Sequence, residues 1–158
     1  MIKTQVTRKR NKKVFDNLIK KVSEVNNQSV SIGYFKEQGI HKDAKMPYAN
    51  LLYIHAFGLV HGAPVRDVMS HLKPMISGGN ATSPQMLKLL RNYFKNKITV
   101  EQVFSDIGAT YRDKGKAIFG NPSYLTATES NVTPLVDTGE LQRNFAYKTS
   151  IKMEVVTR

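Results

Sequence analysis

Two stretches near opposite ends of the chain alternate apolar with polar residues, and most of what lies between them has the periodicity of helices. The first, Ser29-Val30-Ser31-Ile32-Gly33-Tyr34-Phe35, places Val30, Ile32 and Tyr34 on one face. The second runs from Phe145 to Val155 and places Phe145, Tyr147, Thr149, Ile151, Met153 and Val155 on one face. Two such strands flanking a helical middle predict an α+β fold: a small antiparallel sheet of an N-proximal and a C-terminal strand, packed with about four helices and carrying long loops. A two-stranded ribbon is marginal alone. Either further strands lie around 36–46 or 121–136, or neighbouring subunits complete the sheet.

The helices are legible from spacing. From Asn11, the residues Val14, Phe15, Leu18, Ile19, Val22 and Val25 recur every three or four positions, with Lys12, Lys13, Lys20 and Lys21 on the other side. Phe15 reads as a core residue, and the helix should end near Asn26-Asn27. Pro47 opens a second helix with Tyr48, Leu51, Leu52, His55 and Ala56 inward, and Gly58 is placed to end it. Val65, Val68, Met69 and Leu72 have helical spacing, and Pro74 is expected to stop that segment. Thr82 or Ser83 should cap the next helix, with Met86, Leu87, Leu90, Tyr93 and Phe94 as its apolar face. The longest helix follows Thr99, where Gln102 completes a Thr-x-x-Gln capping pattern, and Val100, Val103, Phe104, Ile107, Tyr111 and Ile118 mark its buried stripe. Gly108 and Gly115, seven apart inside it, suggest close backbone approach to another element, the alternative being that the helix simply tolerates them.

Residues 121–133 hold Pro122 and five Ser or Thr residues and read as a long loop. Then Pro134-Leu135-Val136-Asp137-Thr138-Gly139-Glu140-Leu141 turns the chain into a short helix. Asp137 or Thr138 can accept from the N–H groups of that turn, and the Glu140 carboxylate favours its N-terminus.

At 158 residues the chain is read as residues 1–10, a flexible basic arm, and 11–158, a single α+β domain. The net charge of +12 is concentrated: eight of the 24 basic residues and one of the 12 acidic ones lie in the first 21 positions. Arg8, Lys9, Arg10, Lys12 and Lys13 are dense enough to track phosphates without reading sequence. The lack of any apolar run near 18 residues argues against a membrane span, and the charged N-terminus against a secretory signal. Zero cysteines exclude disulfides and thiolate metal sites, and fit synthesis in a cytoplasm.

No residue set meets the requirements of an active site. His41, His55, His61 and His71 lack metal-ligand spacing, Gly78-Gly79-Asn80 lacks a phosphate-loop lysine, and Glu101, Asp106 and Asp113 are spread along one helix among basic residues. The expectation is a protein that is not an enzyme, with no catalytic residues, no metal and no cofactor.

The C-terminal motif, Pro134-Leu135-Val136-Asp137-Thr138-Gly139-Glu140-Leu141-Gln142-Arg143-Asn144-Phe145, resembles the P-L-x-D-T-G-x-L-x-x-S signature of tailed-phage virion-morphogenesis proteins, the neck and tail-completion group. Val30 to Phe35 resembles that family's V-x-V-G strand, which includes Gly33. Tyr53-Ile54-His55-Ala56-Phe57-Gly58 resembles its A-x-I-H-E-F-G helix end, and Gly62-Ala63-Pro64-Val65-Arg66 the turn after it. The four pieces occur in the family's order across about residues 30 to 150. Ala56 stands where the family has glutamate, Asp67 where it has proline, and Asn144 where serine is common.

The resemblance implies a non-enzymatic structural protein of the virion, made in the host cytoplasm. It would work at the neck or tail end as a ring about the DNA channel, commonly of six copies, completing the tail and joining it to the head. Its partners would be copies of itself, neighbouring neck, connector and tail-tube proteins, and non-specifically the channel DNA, with no membrane. The motif residues Gly33, His55, Phe57, Gly58, Pro64, Arg66, Pro134, Leu135, Asp137, Thr138, Gly139 and Leu141 would serve assembly, and the loops 36–46 and 121–133 would contact neighbouring subunits. The alternative is a basic DNA-binding protein using the N-terminal arm.

Overall fold

A computed structural model describes residues 12–59, 64–77, 84–127 and 139–151. Six helices and two strands follow in the order α1 (Lys12–Asn26), β1 (Gln28–Gly33), α2 (Tyr48–Ala56), α3 (Val68–Ser77), α4 (Pro84–Phe94), α5 (Val100–Lys116), α6 (Glu140–Asn144) and β2 (Ala146–Ile151). The expected α+β architecture is present. Among the described residues the sheet has two antiparallel strands, with Ile32 opposite Tyr147 and Val30 opposite Thr149. The segment 36–46 forms no further strand: it holds a 3₁₀ turn at Lys36–Gln38 and a single bridge between Ile40 and Pro47.

The sheet lies on α5, and two glycines let it do so. A Cβ on Gly108 would fall far inside van der Waals contact of the Tyr147 ring, and one on Gly115 would do the same to Phe145. Phe145 is fully buried, with Tyr34 edge-on at 5.6 Å and Phe119 tilted against it at 5.6 Å. Another element does come close at both glycines, but with the aromatic side chains of β2 and of the residue before it rather than with its backbone. Thr99 caps α5 as expected, its hydroxyl accepting from the Gln102 N–H at 3.2 Å.

Two apolar clusters result. The larger joins Tyr48 and Leu52 of α2, Val68 and Leu72 of α3, Ile118, Phe119 and Leu125 from the turns after α5, and Leu141 and Phe145. The smaller gathers Tyr93 of α4 with Val100 and Val103 of α5.

Two expectations about helices are corrected. Pro74 does not stop α3, which continues to Ser77. The Asp67 carboxylate starts that helix, accepting from the Met69 and Ser70 N–H groups at 2.9 and 3.1 Å. Pro74 falls late enough that its missing donor affects only the last turns.

In α1 the apolar stripe faces a core only at Val25. Phe15 is 61% exposed, so the core placement read from its spacing fails. Lys21, expected on the solvent side, is buried instead. Its ammonium donates to the Tyr93 and Phe94 carbonyls at 3.0 and 3.1 Å and to the Asn96 side-chain oxygen. These carbonyls end α4, where helix carbonyls lack intrahelical donors and the dipole favours a cation. Periodicity could not show this, because a lysine's long stem lets a helix reach a partner with its charged end.

Gly115→Ala should destabilise the protein by roughly 1–3 kcal/mol in urea unfolding, because the added methyl must displace a buried ring. Alanine at an open helical site would instead stabilise by about 1 kcal/mol, so a gain in stability would refute the close packing.

Candidate functional site

The C-terminal motif and the early strand come together around α6. Gly139 occupies the N-cap position of α6 with a φ of 69°, the left-handed region that glycine favours. No side chain caps the helix. Pro134, Leu135, Asp137 and Thr138 lie outside the described residues, as does the capping expected of the last two. Leu141 is buried in the main cluster.

Glu140 is where the loop after β1 fastens to α6. Its carboxylate accepts from the Tyr48 hydroxyl at 3.1 Å and the Lys42 N–H at 3.4 Å, and lies 3.1 Å from His41 Nε2. His41 Nδ1 accepts from the Ala44 N–H at 3.2 Å, which leaves its neutral proton on Nε2, pointing to Glu140. Two more bonds join the same elements: the Tyr34 hydroxyl donates to the Leu141 carbonyl at 2.7 Å, and the Gln38 amide donates to the Asn144 carbonyl. Burial and the Glu140 hydrogen bond push the Tyr48 hydroxyl up, so it stays a neutral donor.

His41, Asp43 and Glu140 could by proximity hold a metal ion. The histidine's bonding opposes this: Nε2 carries the proton toward Glu140, and the Nδ1 lone pair is taken by a backbone donor. The arrangement suits a structural clasp. Sequence reasoning missed it, since His41, Tyr48 and Glu140 are up to 99 positions apart. The one available signal, Glu140 near a helix start, suggested a local role instead.

The second pair of motif pieces also meets. Gly58, φ 62°, ends α2 as expected: the Leu59 N–H reaches the Ile54 carbonyl at 3.0 Å and the Gly58 N–H reaches His55 at 3.4 Å. The His55 carbonyl also accepts from the Arg66 N–H at 2.9 Å. Arg66 is buried, and its Nε donates to the Thr126 carbonyl at 2.9 Å. Burial, and then the positive charge of Arg66, hold the His55 imidazole below its usual value.

The motif residues thus divide. Gly33, Arg66 and Leu141 are buried, while His55, Gly58, Pro64 and Gly139 are partly covered. Phe57 is 62% exposed, beside the exposed Tyr53 ring at 4.5 Å and near Leu59 in sequence. Among the described residues of this set, Phe57 alone presents a large apolar surface outward.

Of the expected phosphate contacts, Lys12 and Lys13 are exposed on the first turn of α1, and Arg8, Lys9 and Arg10 lie outside the described residues. On α5, Asp113 is exposed and paired with Arg112 at 2.7 Å. The loop 36–46 is engaged with α6 through His41 and Gln38, with Ile40 left outward. Residues 128–133 of the other expected contact loop lie outside the described residues. Among the described residues, no helix is long and apolar enough to cross a membrane.

A depressed His55 means that the unfolded chain binds more protons than the folded one as pH falls below about 6.5, so stability falls with it. Between pH 7 and 5 the unfolding free energy of the wild type should decline more than that of His55→Gln. Parallel declines would show that His55 titrates alike in both states.

Compared with protein-family models, with curated proteins and with solved structures, the chain matches none.

Proposed function

We propose that this chain is a structural part of a tailed-phage virion, acting at the neck or tail end. In this role it repeats as a ring about the DNA channel, completes the tail and joins it to the head. The observation that carries this role is the apolar surface that the fold leaves outward. Tyr53, Phe57 and Leu59 at the end of α2, together with Val65, are 57–63% exposed. Large exposed apolar groups in one region mark an interaction surface. Phe57 belongs to the phage-like motif, so the resemblance and the exposure meet at one residue. The two-stranded sheet, which pairs with no third strand among the described residues, offers edges to neighbours.

Leu141→Asp would bury a charge and test folding rather than assembly. Phe57→Asp is the informative change. It should alter unfolding stability by no more than about 0.5 kcal/mol, as exposed positions do. In a phage lacking this gene, negative-stain microscopy should show separate filled heads and finished tails. Supplying Phe57→Asp should leave them separate, while the wild type restores joined virions. Normal virions without the gene would overturn the role, and overlong tails would move it to tail termination.

The exposure of Lys12 and Lys13 favours a second role for the basic arm, a sequence-independent grip on DNA. Neutralising about six phosphates would give a log–log salt slope of about −5 for duplex affinity. Removing residues 1–13 should abolish that affinity. Unchanged binding would exclude the arm.

A further inference from the structure

The apolar stripe of α1 is only partly used within its own chain. At its C-terminal end Val25 packs against the smaller cluster. Further back, Val22, Ile19, Leu18 and Phe15 are 50%, 53%, 49% and 61% exposed. Beside Val25 opens an apolar groove of about 530 Å³, lined also by Ile32 of β1, Met69 and Ile76 of α3, Leu90 of α4 and Ile107 of α5. It lies between the two core clusters, drawing its walls from residues packed on each. Its volume is within the range of built binding sites, roughly 300–1,000 Å³. Among the described residues its lining is hydrocarbon and thioether, with Tyr111 as the one residue bearing a hydroxyl.

The exposed stripe and the groove form one continuous patch, because Val25 belongs to both. Phe15, Leu18, Ile19 and Val22 stand at i, i+3, i+4 and i+7, the spacing by which an amphipathic helix seats in an apolar groove. Methionines in the wall suit such a guest, since their flexible side chains adapt to its shape. The helix cannot swing into its own groove while the clasp at its base holds. The three bonds of the Lys21 ammonium, and the Tyr93 hydroxyl donating to Glu24, tie that half of α1 to the end of α4.

We infer that the groove is filled by the exposed half of α1 from a second copy of this chain, the two copies exchanging helices about a two-fold axis. Area decides for the reciprocal form. Four apolar residues exposed by about half give roughly 400 Å² from one α1, and about as much again from the groove wall it covers, against about 800 Å² per partner in a standard interface. One such contact stays below the approximately 1,000 Å² that a specific interface needs, whereas a reciprocal pair exceeds it. A patch that holds both the guest helix and the receiving groove is self-complementary, which is the requirement of a two-fold interface. This pairing does not depend on the ring role and uses a different surface from Phe57.

The absence of cysteine makes the contact testable by disulfide trapping in the full-length chain. Leu18→Cys and Leu90→Cys are made as separate single-cysteine proteins, mixed and mildly oxidised. The expected product is a covalent pair containing one of each, formed at least tenfold faster than from Leu90→Cys mixed with Ser123→Cys. In sedimentation the wild type should run at twice its 17.8 kDa mass. Phe15→Asp with Leu18→Asp should run as a folded monomer whose melting temperature, unlike that of the wild type, does not rise with protein concentration. A monomeric wild type, or a pair that survives the double aspartate substitution, would overturn the inference. So would a Leu18→Cys, Leu90→Cys double variant that closes only within one chain. Loss of head–tail joining in Phe57→Asp with intact pairing would leave both roles standing. Normal virions without the gene, with pairing intact, would remove the ring alone.

Discussion

The contact between α5 and the aromatic side chains at the start of β2 is the constraint on which the rest of this structure depends. A two-stranded ribbon has too little surface to hold itself together. Here it is held because Gly108 and Gly115 let Tyr147 and Phe145 lie directly on the helix backbone. Phe145 then becomes the centre of the main cluster, meeting Tyr34 from the end of β1 and Phe119 from the turns after α5. Each glycine weakens the helix locally by about 1 kcal/mol. The burial of a full aromatic ring, which removes 150–250 Å² from water, outweighs that cost.

The placement of β2 also determines where α6 sits. The short helix would not be stable alone, being well below the length at which isolated helices form. It is kept by Leu141 in the core, by Tyr34, Gln38 and His41 of the loop after β1, and by Tyr48 of α2, which bond to its carbonyls or to Glu140. The described part of the motif that resembles an assembly signature is thus an internal fastening. Glu140 and Leu141 hold the fold. In the segment that ends α2, Gly58 and His55 shape the turn while Phe57 projects from it.

Large apolar side chains stand exposed at the end of α2 and along α1. A helix with four large apolar residues about half exposed is poorly suited to remain in water. Its base is nevertheless fastened by buried polar bonds from Lys21 and Glu24, so it is held in place rather than left to collapse onto its own groove. A rigidly presented apolar helix is preorganised for a partner, because little ordering remains to be done on binding.

The sequence alone determined the kinds of element and most of their limits. Period-two alternation marked both strands, Thr99 capped α5, Gly58 ended α2, and the seven-residue glycine spacing announced a close approach. These are local effects, fixed by backbone preference and by bonds across three or four residues. Tertiary structure decided which faces are covered. Amphipathic spacing tells that Phe15, Leu18 and Val22 share a face, but not that about half of each stays exposed. Nor does it show that Lys21 turns inward to end α4, that Pro74 is tolerated inside α3, or that His41 and Tyr48 meet Glu140. Those outcomes depend on the relative position of elements many residues apart, which no local preference encodes.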